Sequence, residues 1–131
     1  MNVLTIDVET THKDRQGGGT TALPYFNNRL VSVGWKWLLN QDVNYEFFYH
    51  KDKDTWYNSE TVNRIQNDLD KTDVLIGQNI KFDIMWLRAC GFKYDGVIYD
   101  TMVAEYLRSK GRRWSLALDA LAKRYNVTQK E

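Results

Sequence analysis

Asp7 and Glu9 stand two positions apart in TIDVETT (5–11), directly after an apolar run. On a strand, side chains two apart point the same way, about 6–7 Å from each other. Two carboxylates that close repel. The placement suits a shared hard cation, because Mg²⁺-type ions take a few protein oxygens and leave the rest of the shell to water and phosphate. It equally suits a solvated strand end. A third carboxylate bears on the choice. In GQNIKFD (77–83), Asp83 follows Asn79 by four residues, which puts both on one helix face. Asp83 would lie in the first turn, where the helix dipole favours an anion. It could be a surface residue matching that dipole, but Phe82 and Ile84 flank it. Gly77 is expected to permit a tight strand-to-helix turn, and Asn79 to cap the helix.

These side chains need elements to hold them. VLTIDV (3–8) is short, β-branched and mostly apolar, as a strand buried on both faces would be. Residues 12–29 contain three glycines in a row and the single proline, and read as a long loop. Residues 30–39 and 43–50 read as two strands joined by a turn at 40–42, with Gly34 marking a bulge. Val62, Ile65 and Leu69 recur at helical spacing within 59–71, with Ser59 as N-cap. A strand follows at 73–79, then a helix at 80–91 with Ile80, Ile84 and Leu87 on one stripe and Gly91 as its stop. A strand at 97–100 leads into a helix at 101–109 capped by Asp100. The last helix is expected at 115–126, capped by Ser115. The order describes a mixed α/β domain with an antiparallel start and an alternating continuation.

At 131 residues the chain is one domain, 1–131, with 43% hydrophobic and 27% charged residues. Eighteen Lys and Arg against 17 Asp and Glu give a formal charge of +1. Any basic surface for nucleic acid must therefore be local. One cysteine, Cys90, allows no internal disulfide and suits a reducing compartment. No apolar run nears the roughly 18 residues of a membrane span, so no membrane partner is expected.

DVETT followed by GQNIKFD resembles the first two motifs of the DEDD, or DnaQ-like, 3′–5′ exonucleases. The similarity is greatest to the proofreading domain of family A DNA polymerases, particularly those of phages. YDTMVAEYLRS (99–109) and WSLALDALAKRY (114–125) resemble the stretch that follows in those enzymes. The resemblance implies a ribonuclease H-like fold, a mixed five-stranded sheet flanked by helices. The first three strands would be antiparallel and the later ones parallel to the first. It implies a two-metal site for Mg²⁺ or Mn²⁺. Asp7 would bridge the ions, Glu9 would bind the ion that activates water, and Asp83 would serve the second ion. Two such ions activate the attacking water and stabilise both oxygens of the phosphodiester, and carboxylates from several elements are needed to surround them. Thr10 and Asn79 would lie near the terminal nucleotide. Asp100 reads as a helix cap rather than a ligand.

The family's third motif, Y-x-x-x-D or H-x-x-x-D, is not found in these residues. After Asp100 the one aspartate is Asp119, and Ser115 stands four before it. The expectation is a C-terminally truncated fold, the N-terminal part of a larger polymerase polypeptide, weak or inactive by itself. His12 and His50 have no spaced metal-ligating partner, and Cys90 reads as a small buried residue. RSKGRRW (108–114) supplies Arg112 and Arg113 as phosphate contacts or as a solvated loop. Tyr25 and Phe26 could stack on an unpaired base, while Trp35, Trp37, Trp56 and Trp86 read as core. The function expected is metal-dependent removal of nucleotides from a single-stranded DNA 3′ end, in a cytoplasm (a bacterial host's if phage-encoded). An exoribonuclease of the same superfamily, or an inactive nucleic-acid-binding or interaction module, are the alternatives.

Overall fold

The computed structural model describes every residue except 15–19, 25–27, 51–52, 55–58 and 128–131. Its strands and helices are β1 (Val3–Thr10), β2 (Lys13–Asp14), β3 (Thr20–Thr21), β4 (Leu30–Trp37), β5 (Asn44–Phe47), β6 (Tyr49–His50), β7 (Lys53–Asp54), α1 (Ser59–Asp70), β8 (Val74–Gly77), α2 (Ile80–Ala89), β9 (Val97–Asp100), α3 (Thr101–Arg108) and α4 (Leu118–Arg124). Five strands form one sheet in the order β5-β4-β1-β8-β9. β1 pairs antiparallel with β4, and β4 with β5; β8 is parallel to β1, and β9 to β8. This is the mixed ribonuclease H-like sheet that the motif order implied.

β1 is not buried on both faces. Leu4, Ile6 and Val8 enter the core, whereas Thr5, Asp7 and Glu9 are exposed. The core lies on one side of β1, where Ile65 and Leu69 of α1 and Ile80, Trp86 and Leu87 of α2 pack against Leu4, Ile6, Val33, Trp35 and Leu75. Polar side chains tie α1 down as well. Trp35 Nε1 donates to Asp68 at 2.7 Å, and the Arg64 guanidinium lies 5.2 Å from the Trp35 ring centroid.

Several boundaries differ from expectation for identifiable reasons. The sheet irregularity is not at Gly34, which pairs regularly with Asp7 and Tyr45. It falls where Glu9 faces Ser32 and Thr10 faces Leu30, leaving Val31 as the extra residue. The Val31 carbonyl accepts from Phe48 N at 2.9 Å instead. The expected strand at 43–50 breaks at buried Phe48, and β6 turns away to pair with β7. The turn after β4 starts earlier than 40–42, with Asn40 N donating to the Trp37 carbonyl at 3.1 Å. The loop from His12 to Arg29 contains the β2–β3 ribbon. Its base is closed by Thr11 N to Arg29 O at 2.9 Å, and the buried Asn28 amide donates to the Thr21 and Leu23 carbonyls. On α2 the most buried positions are Ile80, Asp83, Trp86 and Leu87, so the stripe contains a carboxylate and a tryptophan in place of Ile84.

α4 begins at Leu118, not at Ser115, and Ala117 is its N-cap residue. Residues 112–117 are irregular, and side chains take two of the carbonyls there: Gln78 Nε2 donates to Leu116 O at 2.7 Å, and Arg124 to Ser115 O at 2.9 Å. α4 is joined to α3 through Glu105, a carboxylate only 4% exposed that accepts from both Arg124 and Tyr125.

Asp100 does cap α3, accepting from Met102 N at 2.9 Å. It also caps α2: Asn79 N and Ile80 N donate to its two oxygens at 2.9 and 3.1 Å. One carboxylate therefore satisfies three orphan donors at two helix N-termini, where the dipoles favour its charge. Asn79, expected to cap α2 with its side chain, makes no such bond; it takes the left-handed conformation at φ 53°. The turn's positive φ thus belongs to Asn79, and Gly77 has a different role, since a Cβ there would meet the Ile80 side chain at 3.0 Å. With an N-cap worth about 1 kcal/mol, Asp100→Ala should lower stability by about 2 kcal/mol. Asp100→Asn, which keeps one oxygen, should lose roughly half of that. Urea denaturation of the three proteins checks the order; an Asp100→Ala midpoint equal to wild type would disprove the double cap.

Candidate active site

β8 ends at Gly77, and its pairing with β1 stops at Thr5. Beyond that point the β8 side of β1 has no strand beside it. The Val8 N–H faces this gap and would be an unsatisfied buried donor. Asp83 fills it: its Oδ1 accepts from Val8 N at 2.9 Å. The first turn of α2, set by Asp100, brings the side chain there. Asp83 is 3% exposed. Its pKa is pushed up to about 7, chiefly by burial, opposed by the Val8 hydrogen bond and raised further by the Asp7 charge; its own backbone N–H lowers it and Asp100 adds a smaller raising effect.

Asp7 is where the two halves of the site meet. It is electrostatically coupled to Asp83. With Glu9 it also lines a groove of about 340 Å³ on the open face of the sheet, together with Thr5, Ser32, Gly34, Lys36 and Tyr45. Asp7, Glu9 and Asp83 are the residues expected to hold a metal together. Glu9 shares the groove with Asp7, and Asp83 reaches Asp7 from the helix side. Among the described residues no three His, Cys, Asp or Glu side chains form a group able to hold an ion. The alternation of β1 turns Asp7 and Glu9 to its open face together, while Asp83 is held by Val8 N.

The donor chemistry nevertheless fits a hard divalent cation. Every candidate ligand is a carboxylate oxygen, and Mg²⁺ commonly takes only one or two of these from protein.

Thr10 closes β1 at the irregular pair with Leu30 and is half-buried. Asn79 is exposed beside the start of α2. Arg112 and Arg113 are exposed before α4; Arg112 and Arg124 lie 5.2 and 4.9 Å from the Trp114 ring centroid. Arg124 is committed to Glu105, which leaves Arg112 and Arg113 as the outward cations of that turn. Tyr25 and Phe26 lie outside the described residues, as does Trp56. Of the other tryptophans, Trp35 and Trp86 are core, and Trp37 packs against it half-buried. Cys90 is buried. Two contributors were missed from sequence. Trp86 anchors the loop after β3 through Nε1 to the Ala22 carbonyl at 2.8 Å. Tyr45 lines the groove, and the alternation in NYEF, with aromatics on one side and polar residues on the other, was a signal that could have found it.

A sheet of this order, with acidic residues at the carboxyl end of its central strand, is that of a nuclease of the ribonuclease H-like class. A family model described as 3′-5′ exonuclease matches residues 2–131. The chain belongs to that family, the DEDD proofreading exonuclease domains of family A DNA polymerases. No curated protein matches it significantly. No helix among the described residues is long and apolar enough to cross a membrane.

The raised Asp83 pKa makes stability pH-dependent. The unfolded state ionises Asp83 near its ordinary value of 3.8, while the folded state keeps the proton up to about 7. The folded state thus holds more protons over that interval, and stability falls as pH rises from about 4 to 7. Asp83→Asn keeps an acceptor for Val8 N and removes the charge. In metal-free buffer it should flatten this slope and be the more stable protein at pH 8. Urea denaturation at pH 5 and pH 8 measures both; a wild-type slope left intact in Asp83→Asn would assign it elsewhere.

Proposed function

We propose that this 3′-5′ exonuclease domain hydrolyses the terminal phosphodiester of single-stranded DNA as the proofreading unit of a DNA polymerase, in the cytoplasm, with Mg²⁺ or Mn²⁺ as cofactor. The observation that supports it best is the Asp83 carboxylate held beside Asp7 at the carboxyl end of the central strand. In open α/β sheets, ligands bind outside this end. Asp7, Glu9 and Asp83 are the residues that would hold the metal. When bound, the ion supplies an activated water and charge stabilisation for the attacking and leaving oxygens.

The chain's own residues have the remaining tasks. Asp7 lines the groove and lies close enough to Asp83 to raise its pKa, which suits a shared ligand. With its pKa raised to about 7, Asp83 would be favoured in its ionised form by a bound cation, and metal binding would release protons at pH below about 7. Thr10 and Asn79, at the ends of β1 and of the β8–α2 turn, are set to contact the terminal nucleotide. Arg112 and Arg113 offer phosphate contacts that position a strand without reading its sequence.

One observation favours a second reading, an inactive nucleic-acid-binding module: the described carboxylates do not already form a three-ligand group. One experiment separates the two. A 5′-labelled single-stranded oligonucleotide with Mn²⁺ should be shortened stepwise from its 3′ end, and EDTA or Asp7→Ala should abolish the shortening. An RNA strand of the same sequence, degraded faster than the DNA, would make the domain an exoribonuclease. Binding without shortening, or shortening unaffected by Asp7→Ala, would overturn the catalytic assignment. In calorimetry, Asp7→Ala should remove more Mn²⁺ binding than Asp83→Ala, and the reverse order would reject Asp7 as the shared ligand.

A further inference from the structure

β5 is built the wrong way round for an edge strand that packs on helices. Asn44 and Glu46 face the helix layer, where Arg64 of α1 donates to both at 2.7 Å. Tyr45 and Phe47 face the open side, 60% and 56% exposed. Burying two aromatic rings gains far more than burying an amide and a carboxylate. The orientation is therefore costly for the fold, and an apolar surface retained at such a cost marks a contact.

The register shows what the rings stand beside. Asp7 pairs with Gly34, and Gly34 with Tyr45; Glu9 pairs with Ser32, and Ser32 with Phe47. Two rows thus cross the open face, each from a carboxylate through a small residue to an aromatic ring. Neighbouring strands are about 4.8 Å apart, so β1 and β5 are separated by about 10 Å. Tyr45 shortens its row. A Cβ on Gly34 would meet the Tyr45 ring at 3.1 Å, so the ring lies over Gly34, toward Asp7. Gly34 leaves room for that ring, and both residues line the groove that holds Asp7 and Glu9.

We propose that Tyr45 is a stacking platform for an unpaired base of the strand whose 3′-terminal phosphodiester is presented to Asp7 and Glu9. This deepens the function proposed above and rests on it. Charge distribution fits this occupant. The acidic end of the row suits a phosphate only through a cation, and the aromatic end suits the flat face of a base, which every base possesses. The groove would then hold a single strand, with its backbone along β1 and a base over Gly34 and Tyr45. A double-stranded end would keep its bases stacked in pairs and offer the ring only the outer face of its terminal pair.

The test is equilibrium binding by fluorescence anisotropy, with Ca²⁺ as the ion. The probes are a 5′-labelled oligothymidylate and the same strand carrying abasic sites at its last three positions. Wild type should bind the base-bearing strand about tenfold more tightly than the abasic one, the value of one stacked base. Tyr45→Ala should lose about tenfold on the first strand and nothing on the second. Tyr45→Phe should bind both as wild type does. Gly34→Val, which forces the ring off the β4 backbone, should resemble Tyr45→Ala, with circular dichroism confirming the fold. Tyr45→Ala binding the base-bearing strand as tightly as wild type would overturn the platform and leave the exonuclease reading intact. Wild type binding neither strand would overturn both.

Discussion

The Val8 N–H has no strand to bond to. β8 stops at Gly77, and the parallel ladder it makes with β1 ends at Thr5. A buried donor left open there would cost as much as a lost hydrogen bond. The chain satisfies it with Asp83, which requires α2 to start directly after β8 and to place its fourth residue against β1. That bond fixes α2 on the sheet, and Trp86 and Leu87 follow into the core from the same helix face. It also commits a carboxylate to a buried position beside Asp7. The architecture and the chemical potential of the site thus share one cause.

Asp7, Asp83 and Asp100 lie close enough to interact electrostatically, yet their surroundings make them different groups. Asp100 accepts from three backbone N–H groups at two helix N-termini, a setting in which a negative charge is compensated. Asp83 accepts from Val8 N and is stabilised by its own N–H, but burial outweighs both and raises its pKa to about 7. Asp7 is exposed and keeps its side chain on the groove. Burial thus separates Asp83 from the capping carboxylate Asp100. Asp100 remains essential to the other two, because without its hold on Asn79 and Ile80 the first turn of α2 would have no fixed start.

Local signals carried part of this. The apolar spacing of α1, the strand-to-helix turn in GQNIKFD and the cap at Asp100 were readable, while the strand directions came from the family resemblance. What was not readable depends on distant partners. Nothing near Ser115 says that Gln78 and Arg124 will take the carbonyls of 115–116 and that α4 will start at Leu118. Nothing near Glu105 announces Arg124 and Tyr125 as its partners. The β1 strand looked apolar enough for two buried faces, but its polar residues alternate, and period two should have outweighed composition. Asn79 was misassigned for a related reason. Asn is as good in the left-handed region as it is as a cap, and the choice was made by a carboxylate 21 residues away.

A fully assembled acidic site would be a liability without its cation. Three carboxylates drawn together in a partly buried cleft repel one another, and burial strengthens that repulsion. Burial lessens the cost by raising the Asp83 pKa to about 7, which favours its neutral form below that pH. A divalent cation beside Asp7 would favour the ionised form of Asp83 and attract Glu9, exchanging one compensation for another. A phosphodiester cannot approach Asp7 and Glu9 unaided, since its charge has the same sign as theirs. On the function proposed above, cation and substrate would require each other. The open face of β1, β4 and β5 would give them a common place to meet, because the small residues Ser32 and Gly34 stand beside Glu9 and Asp7 in the groove.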